Sequence, residues 1–232
     1  SSLIGCNRYK RNGKGEKPIK IGVVIYRGDD PFVMSIITAM ENEVKKMEEE
    51  LGRKINLNVV DAKNSQGVQN DQVDNFINKQ YDVICVNMVD RTVASVTINK
   101  AKEKGIPIIF FNREPVKEDL NSWERVYYVG SDARDSGEFE GDIIVNAYRE
   151  NPDLLDKNGD GKIQYVILEG EEAHQDSLIR TEHTVKTIVE SGIELERLGR
   201  AVGNWMRSMA YEKMLDLIEE FGTEIELVIS NN

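Results

Sequence analysis

Residues 19–26 read IKIGVVIY. A strand with one wet face alternates apolar and polar side chains with a period of two. Here only Lys20 interrupts an apolar run, and 83–89 (VICVNMV), 107–112 (PIIFFN) and 225–230 (IELVIS) are much the same. Strands apolar throughout are buried on both faces, as in a parallel sheet covered by helices on each side.

Working outward, further strands are expected at 55–61, 126–131, 164–169 and 194–201. Amphipathic helical stretches lie between them near 32–51, 68–80, 92–104, 136–150, 176–191 and 206–221. In the first helix Ile36, Met40, Val44, Met47 and Leu51 recur at the spacing of one buried face. Strand and helix alternate along the whole chain, the pattern of a doubly wound α/β fold with right-handed crossovers. Eight strands are many for one sheet, and 113–125 (REPVKEDLNSWER) breaks the rhythm after the fourth. The reading is therefore two α/β domains, 19–131 and 132–232, after a tether over 1–18.

At 232 residues and 40% hydrophobic the chain is long enough for one large core or two small ones. Its formal net charge of -11 leaves no basic footprint for nucleic acid. No stretch is long and apolar enough to span a bilayer. Ser1-Ser2-Leu3-Ile4-Gly5-Cys6 ends in Leu-Ile-Gly-Cys, which resembles a bacterial lipobox, with Cys6 as the lipid-modified residue and 7–17 as a polar tether. The second cysteine, Cys85, stands inside an apolar run and reads as a buried small hydrophobe, so no disulfide framework is expected.

Residues 156–164, DKNGDGKIQ, open like a calcium loop. Asp156, Asn158 and Asp160 occupy positions 1, 3 and 5, Gly161 the turn position, and Lys162 position 7, which binds through its carbonyl. Position 12, which should be a bidentate glutamate, is Ile167. The loop runs into a strand, so at about 3.3 Å per residue position 12 lies roughly 10 Å beyond position 9. The carboxylate must come from a neighbouring parallel strand that starts at the same end. Glu226, second in 225–230, fits, with Gln164 binding through its side-chain oxygen. The set Asp156, Asn158, Asp160, Lys162, Gln164 and Glu226 is all oxygen with three carboxylates, chemistry suited to Ca²⁺. A solvated Asn-Gly/Asp-Gly turn is the plainer alternative.

In open α/β sheets ligands bind outside the carboxyl ends of the strands. Asp29, Asp30, Pro31 and Phe32 follow the first strand, and Asn112 and Arg113 the fourth. Residues 171–176 (EEAHQD), leading to Arg180, follow the sixth, Trp205 the seventh, and Asn231 and Asn232 end the eighth. Carboxylate, amide, guanidinium and imidazole with two flat rings suit a sugar, whose hydroxyls donate and accept while its C–H faces prefer aromatics. Singly, Trp205 reads as core, and Asp176 with Arg180 as an i, i+4 helix pair. Asp30 and Asp176 as paired carboxylates for glycoside hydrolysis is a weaker reading than sugar binding without chemistry.

The segments IGVVIYRGDDPF, FFNREP, YYVGSD, DKNGDGKIQ with EGEEAHQDSLIR, and IELVISNN occur in this order from about Ile19 to Asn232. In them the chain resembles the bacterial galactose/glucose-binding proteins, the extracytoplasmic sugar receptors of ATP-binding-cassette (ABC) transporters. The resemblance implies two type I periplasmic-binding-protein domains joined by a hinge, a monosaccharide in the cleft, and a calcium loop on the second domain. It implies no enzymatic activity, an ABC transporter permease as partner and a chemoreceptor as a further candidate. By position it assigns stacking to Phe32 and Trp205, and polar sugar contacts to Asp30, Asn112, His174, Asp176, Arg180 and Asn232. Its calcium ligands coincide with the six residues above, Glu226 included. Arg113 stands where the family often has lysine. Family members continue past the final Asn-Asn, so the resemblance implies a chain and a cleft incomplete at the C-terminus.

Overall fold

A computed structural model describes residues 17–172 and 174–232. The expected anchor Cys6 lies outside the described residues. The chain divides into two compact units, Ser1–Gly130 and Ser131–Asn232. The break falls one residue before the boundary expected from sequence.

The first unit runs β1 (Ile19–Ile25), α1 (Pro31–Leu51), β2 (Ile55–Asp61), α2 (Gln66–Asn78), β3 (Val83–Val86), α3 (Ala94–Lys104), β4 (Ile108–Phe111), the short α4 (Lys117–Leu120) and β5 (Val126–Val129). Its five strands are parallel in the order β2-β1-β3-β4-β5. The order reverses between β1 and β3, the switch point at which a crevice opens beyond the carboxyl ends. Val23, Val24, Ile84, Val86, Ile108 and Phe110 form the floor of the core, all essentially inaccessible. Burying each such side chain stabilises the fold by about 1.5–3 kcal/mol.

The second unit runs α5 (Ala133–Glu150), β6 (Lys162–Glu169), α6 (Gln175–Glu190), β7 (Glu194–Val202), α7 (Arg207–Phe221) and β8 (Leu227–Ser230). Its parallel sheet has the order β7-β6-β8. The central strand β6 is buried from Ile163 to Glu169 and packs with Ile144, Ile188 and Ile229. Helices α5 and α6 approach closely because α5 carries glycines one turn apart. A Cβ on Gly137 would stand 2.6 Å from the Arg180 carbonyl oxygen, and one on Gly141 2.6 Å from Thr187 Cβ.

Two sequence expectations need correction. Strands apolar on both faces hold for the sheet interiors, whereas β2 alternates over its first four residues and β7 is half exposed, because each is an edge strand lacking a neighbour on one side. The inner face of α1 is centred on Val33 and Ile37, with Ile36 and Met40 beside them, while Leu51 is 53% exposed. Leu51 is the last residue of the helix, where Gly52 in the left-handed conformation turns the chain away. Among the described residues no helix is long and apolar enough to cross a membrane, and Cys85 is a free, buried thiol pushed up to about 11 by desolvation.

Candidate functional site

Asp30 caps α1. Its Oδ1 accepts from the N–H groups of Phe32 (2.9 Å) and Val33 (3.2 Å), and Pro31 supplies the preset first helical turn. Its Oδ2 accepts from the hydroxyl of Tyr26, which is buried at the end of β1. Burial, and then the Asp30 carboxylate, push the Tyr26 phenol well above its usual range, so it remains a donor at neutral pH. The Arg113 guanidinium lies over the Tyr26 ring, 3.8 Å from its centroid, and Nη1 donates to the Val89 carbonyl (3.2 Å). Such stacking is worth about 2 kcal/mol when desolvated. Arg113 is thus built into the wall behind Asp30. Phe32, 61% exposed, presents its ring at the mouth of the α1 N-terminus.

Asn112 follows β4 in the left-handed region (φ 63°). Its Oδ1 accepts from Asn87 Nδ2 (3.0 Å), and its carbonyl accepts from the Tyr128 hydroxyl (3.2 Å). Asp30, Phe32 and Asn112 therefore stand at the carboxyl edge of the first sheet, on either side of the switch point.

In the second unit His174 caps α6, its Nδ1 accepting from the Asp176 N–H (3.2 Å). The proton of the neutral imidazole is then on Nε2, which makes that nitrogen a donor. The ring meets Trp205 edge-on, centroids 5.7 Å apart at 83°. Trp205 and Asn204 both have positive φ, 59° and 52°, in the turn after β7. The indole lies where a side chain on Gly170 would have to be. Asn232 Oδ1 accepts from the Trp205 N–H (2.8 Å) and so holds that turn. Arg180 Nη1 is 3.5 Å from the Asn231 carbonyl, while its buried Nε has no hydrogen-bond partner among the described residues. The second sheet's carboxyl edge thus gathers His174, Asp176, Arg180, Trp205 and Asn232.

Behind these stand Asn231, which the sequence placed at the end of the eighth strand without a role, and Glu169, which sequence reasoning missed. Asn231 is buried and saturated: Oδ1 accepts from Gly170 N–H and Ser177 Oγ, and Nδ2 donates to the Ser177 carbonyl and Thr181 Oγ1. Glu169, buried at the end of β6, binds Arg200 through Nε (2.8 Å) and Nη2 (2.6 Å), and this pairing raises the guanidinium further. A carboxylate closing an apolar strand was the available signal for Glu169.

At the opposite end of the second sheet the 156–164 loop folds onto itself. Leu227 pairs with Tyr165, so Glu226 stands beside Gln164, and the Glu226 N–H donates to the Gln164 carbonyl (2.9 Å). The Glu226 carboxylate accepts from the N–H groups of Lys157 (2.6 Å), Asn158 (3.1 Å) and Gln164 (3.0 Å). Asp156 takes the N–H groups of Asp160 and Gly161, and Asp160 takes that of Lys162. The Lys162 N–H, with the Gln164 and Asn158 amides, holds the Asp160 carboxyl below the usual carboxylate range. The amides of Asn158 and Gln164 stand between the carboxylates, and among the described residues no three His, Cys, Asp or Glu side chains form a metal-binding cluster. Asn158 Nδ2 and Gln164 Nε2 both donate to Asp160 Oδ2, so the loop's carboxylates are satisfied by its own N–H groups and amides.

Each of the two doubly wound units carries polar and aromatic side chains at the carboxyl edge of its sheet, the edge at which ligands of α/β folds are bound. The chain belongs to the periplasmic binding protein domain family, which it matches over residues 21–232. It is similar to the D-galactose/methyl-galactoside binding periplasmic protein MglB of Haemophilus influenzae, 39% identical over 214 residues, covering 92% of this chain and 63% of that protein. It is also similar to the xylitol-binding protein of Mycolicibacterium smegmatis, 27% identical over 171 residues, 74% of this chain and 44% of that protein. Among solved structures, an ABC transporter solute binding protein from Bacillus halodurans with bound myo-inositol matches with TM-score 0.72 at 28% identity, over 95% of this chain and 68% of that one. The chain thus spans less than two thirds of the length of these two relatives.

Proposed function

We propose that the chain is part of an extracytoplasmic receptor that binds galactose or glucose and delivers it to an ABC transporter, without chemistry of its own. The observation that carries this reading is the 39% identity to a galactoside-binding protein, sustained over 92% of the chain. The residues support it. Asp30 is a hydrogen-bond acceptor, His174 Nε2 and Arg180 Nε, which has no partner among the described residues, are donors, and Phe32 and Trp205 offer flat apolar faces. Hydroxyl-rich rings need all three.

On this reading Asp156, Asn158, Asp160, the Lys162 carbonyl, Gln164 and Glu226 hold a structural Ca²⁺. The ion neutralises the loop's carboxylates and ties β8 to the loop, at the end of the sheet away from the sugar-binding residues. Cys6 is the lipid-modified residue that keeps the receptor at the membrane surface.

Calorimetric titration with D-galactose, D-glucose, D-ribose and myo-inositol tests the reading. Galactose or glucose should bind at least about tenfold more tightly than ribose, a difference of about 1.4 kcal/mol, and Phe32→Ala and Trp205→Ala should each abolish that preference. Tightest binding of myo-inositol would favour a cyclitol receptor, as the similarity to the Bacillus halodurans protein suggests. Saturable binding of none of the four would refute the sugar reading.

A further inference from the structure

The first unit contains a buried amide whose orientation is forced by the backbone around it. Asn87, fully inaccessible, lies just past β3 at the switch point. The Tyr26 N–H is 3.3 Å from its Oδ1, while the Phe111 carbonyl (3.1 Å) and Asn112 Oδ1 (3.0 Å) both face its Nδ2. A backbone N–H can only donate and a backbone carbonyl can only accept. Turning the Asn87 amide over would set N–H against N–H and oxygen against oxygen. Its nitrogen must therefore face Phe111, and the second proton on that nitrogen requires an oxygen from Asn112. The amide of Asn112 is thereby oriented too, with oxygen inward and nitrogen at the other end. Gln69, equally buried, clamps this arrangement: Nε2 donates to the Asn87 carbonyl (2.9 Å) and Oε1 accepts from the Val89 N–H (3.0 Å).

We infer that Asn87 is a positioning residue that fixes Asn112 as a hydrogen-bond donor toward the ligand. This rests on the reading above that Asn112 and Asp30 contact the sugar. Asp30 already receives two N–H groups and the Tyr26 hydroxyl, so it presents only acceptor lone pairs. The first unit therefore demands a ligand that donates at Asp30 and accepts at Asn112. Neutral hydroxyls, which both donate and accept, satisfy this. An amino sugar with an ammonium at the Asn112 position has no lone pair to offer and is rejected.

Side-chain amide hydrogen exchange, followed by NMR in the ligand-free chain, reads the polarity without any sugar. The Asn87 NH₂ should be strongly protected and the Asn112 NH₂ should exchange freely. Protection of Asn112 equal to that of Asn87 would overturn the inference, whether or not the chain binds sugar. A double-mutant cycle with D-galactose and D-glucose reads the function. Asn87→Leu should weaken binding roughly two- to tenfold, the worth of one neutral hydrogen bond, and this loss should vanish in an Asn112→Ala background. A loss that persists there would mean Asn87 acts only on the fold. If Asn87→Leu does not fold, Asn112→Asp decides. It keeps the oxygen toward Asn87 and puts a second oxygen where the donor was, so melting should be unchanged and binding weakened about tenfold or more. Undiminished binding would overturn the proposal. A wild-type chain that binds neither sugar removes the sugar reading and leaves the exchange result standing.

Discussion

Glu226→Gln is the sharpest test of the loop that closes onto β8. The native carboxylate, 8% exposed, accepts three backbone N–H groups, from Lys157, Asn158 and Gln164. A glutamine keeps one acceptor and turns the other into a donor, so at least one N–H faces an NH₂. The smallest loss leaves the buried Gln164 N–H unpaired, costing about 1–3 kcal/mol, and the remaining bonds lose their charge assistance. Together the calcium-free second unit should be destabilised by about 2–4 kcal/mol. Calcium at 100 times its dissociation constant should stabilise the wild type by about 2.7 kcal/mol; if the substitution weakens the ion about a hundredfold, the same calcium adds only about 0.4 kcal/mol. The assay is urea unfolding with and without a chelator, followed by Trp205 fluorescence in a Trp123→Phe background, since the chain has 2 tryptophans. Ile167→Val is the control. Ile167 is buried in β6, so it should cost about 0.5–1.5 kcal/mol and leave the calcium increment intact. A Glu226→Gln protein as stable as wild type, or a calcium increment reduced more by Ile167→Val, would refute the reasoning.

Two further outcomes follow from the same structure and a third from the N-terminal sequence. The Asp160 carboxyl is held low by the N–H it accepts, so its stabilisation is present above about pH 4 and is lost as pH falls through the lower folded value; acid titration of the second unit should be flatter in Asp160→Asn than in wild type. Gly137→Ala should destabilise by about 1–3 kcal/mol in thermal melts, because the new Cβ meets the Arg180 backbone, which outweighs the helix-propensity gain of about 1 kcal/mol. Expressed with a lipoprotein signal sequence, the chain should fractionate with membranes, and Cys6→Ala should release it or block its processing.

The sequence by itself determined the alternation of strands and helices, because strands closed on both faces must be apolar throughout and helices packed on one side must repeat their apolar residues every three or four positions. It also carried the reach of the 156–164 loop. A strand's rise per residue puts Ile167 far from the loop, and the start of β8 brings Glu226 beside Gln164. What sequence could not carry was anything set by strand order. The edge positions of β2 and β7, which expose one side of each, depend on which strands lack a neighbour. Local spacing does not encode that. The same holds for Tyr26, Asn87, Asn231 and Glu169, which read as ordinary strand-end residues until the fold places them. Their partners are 4 residues away for Tyr26 with Asp30, 25 for Asn87 with Asn112, 31 for Glu169 with Arg200 and 54 for Asn231 with Ser177. A buried polar group must find a partner wherever the packed chain supplies one, so only the tertiary structure decides which amide faces inward and which is left for a ligand.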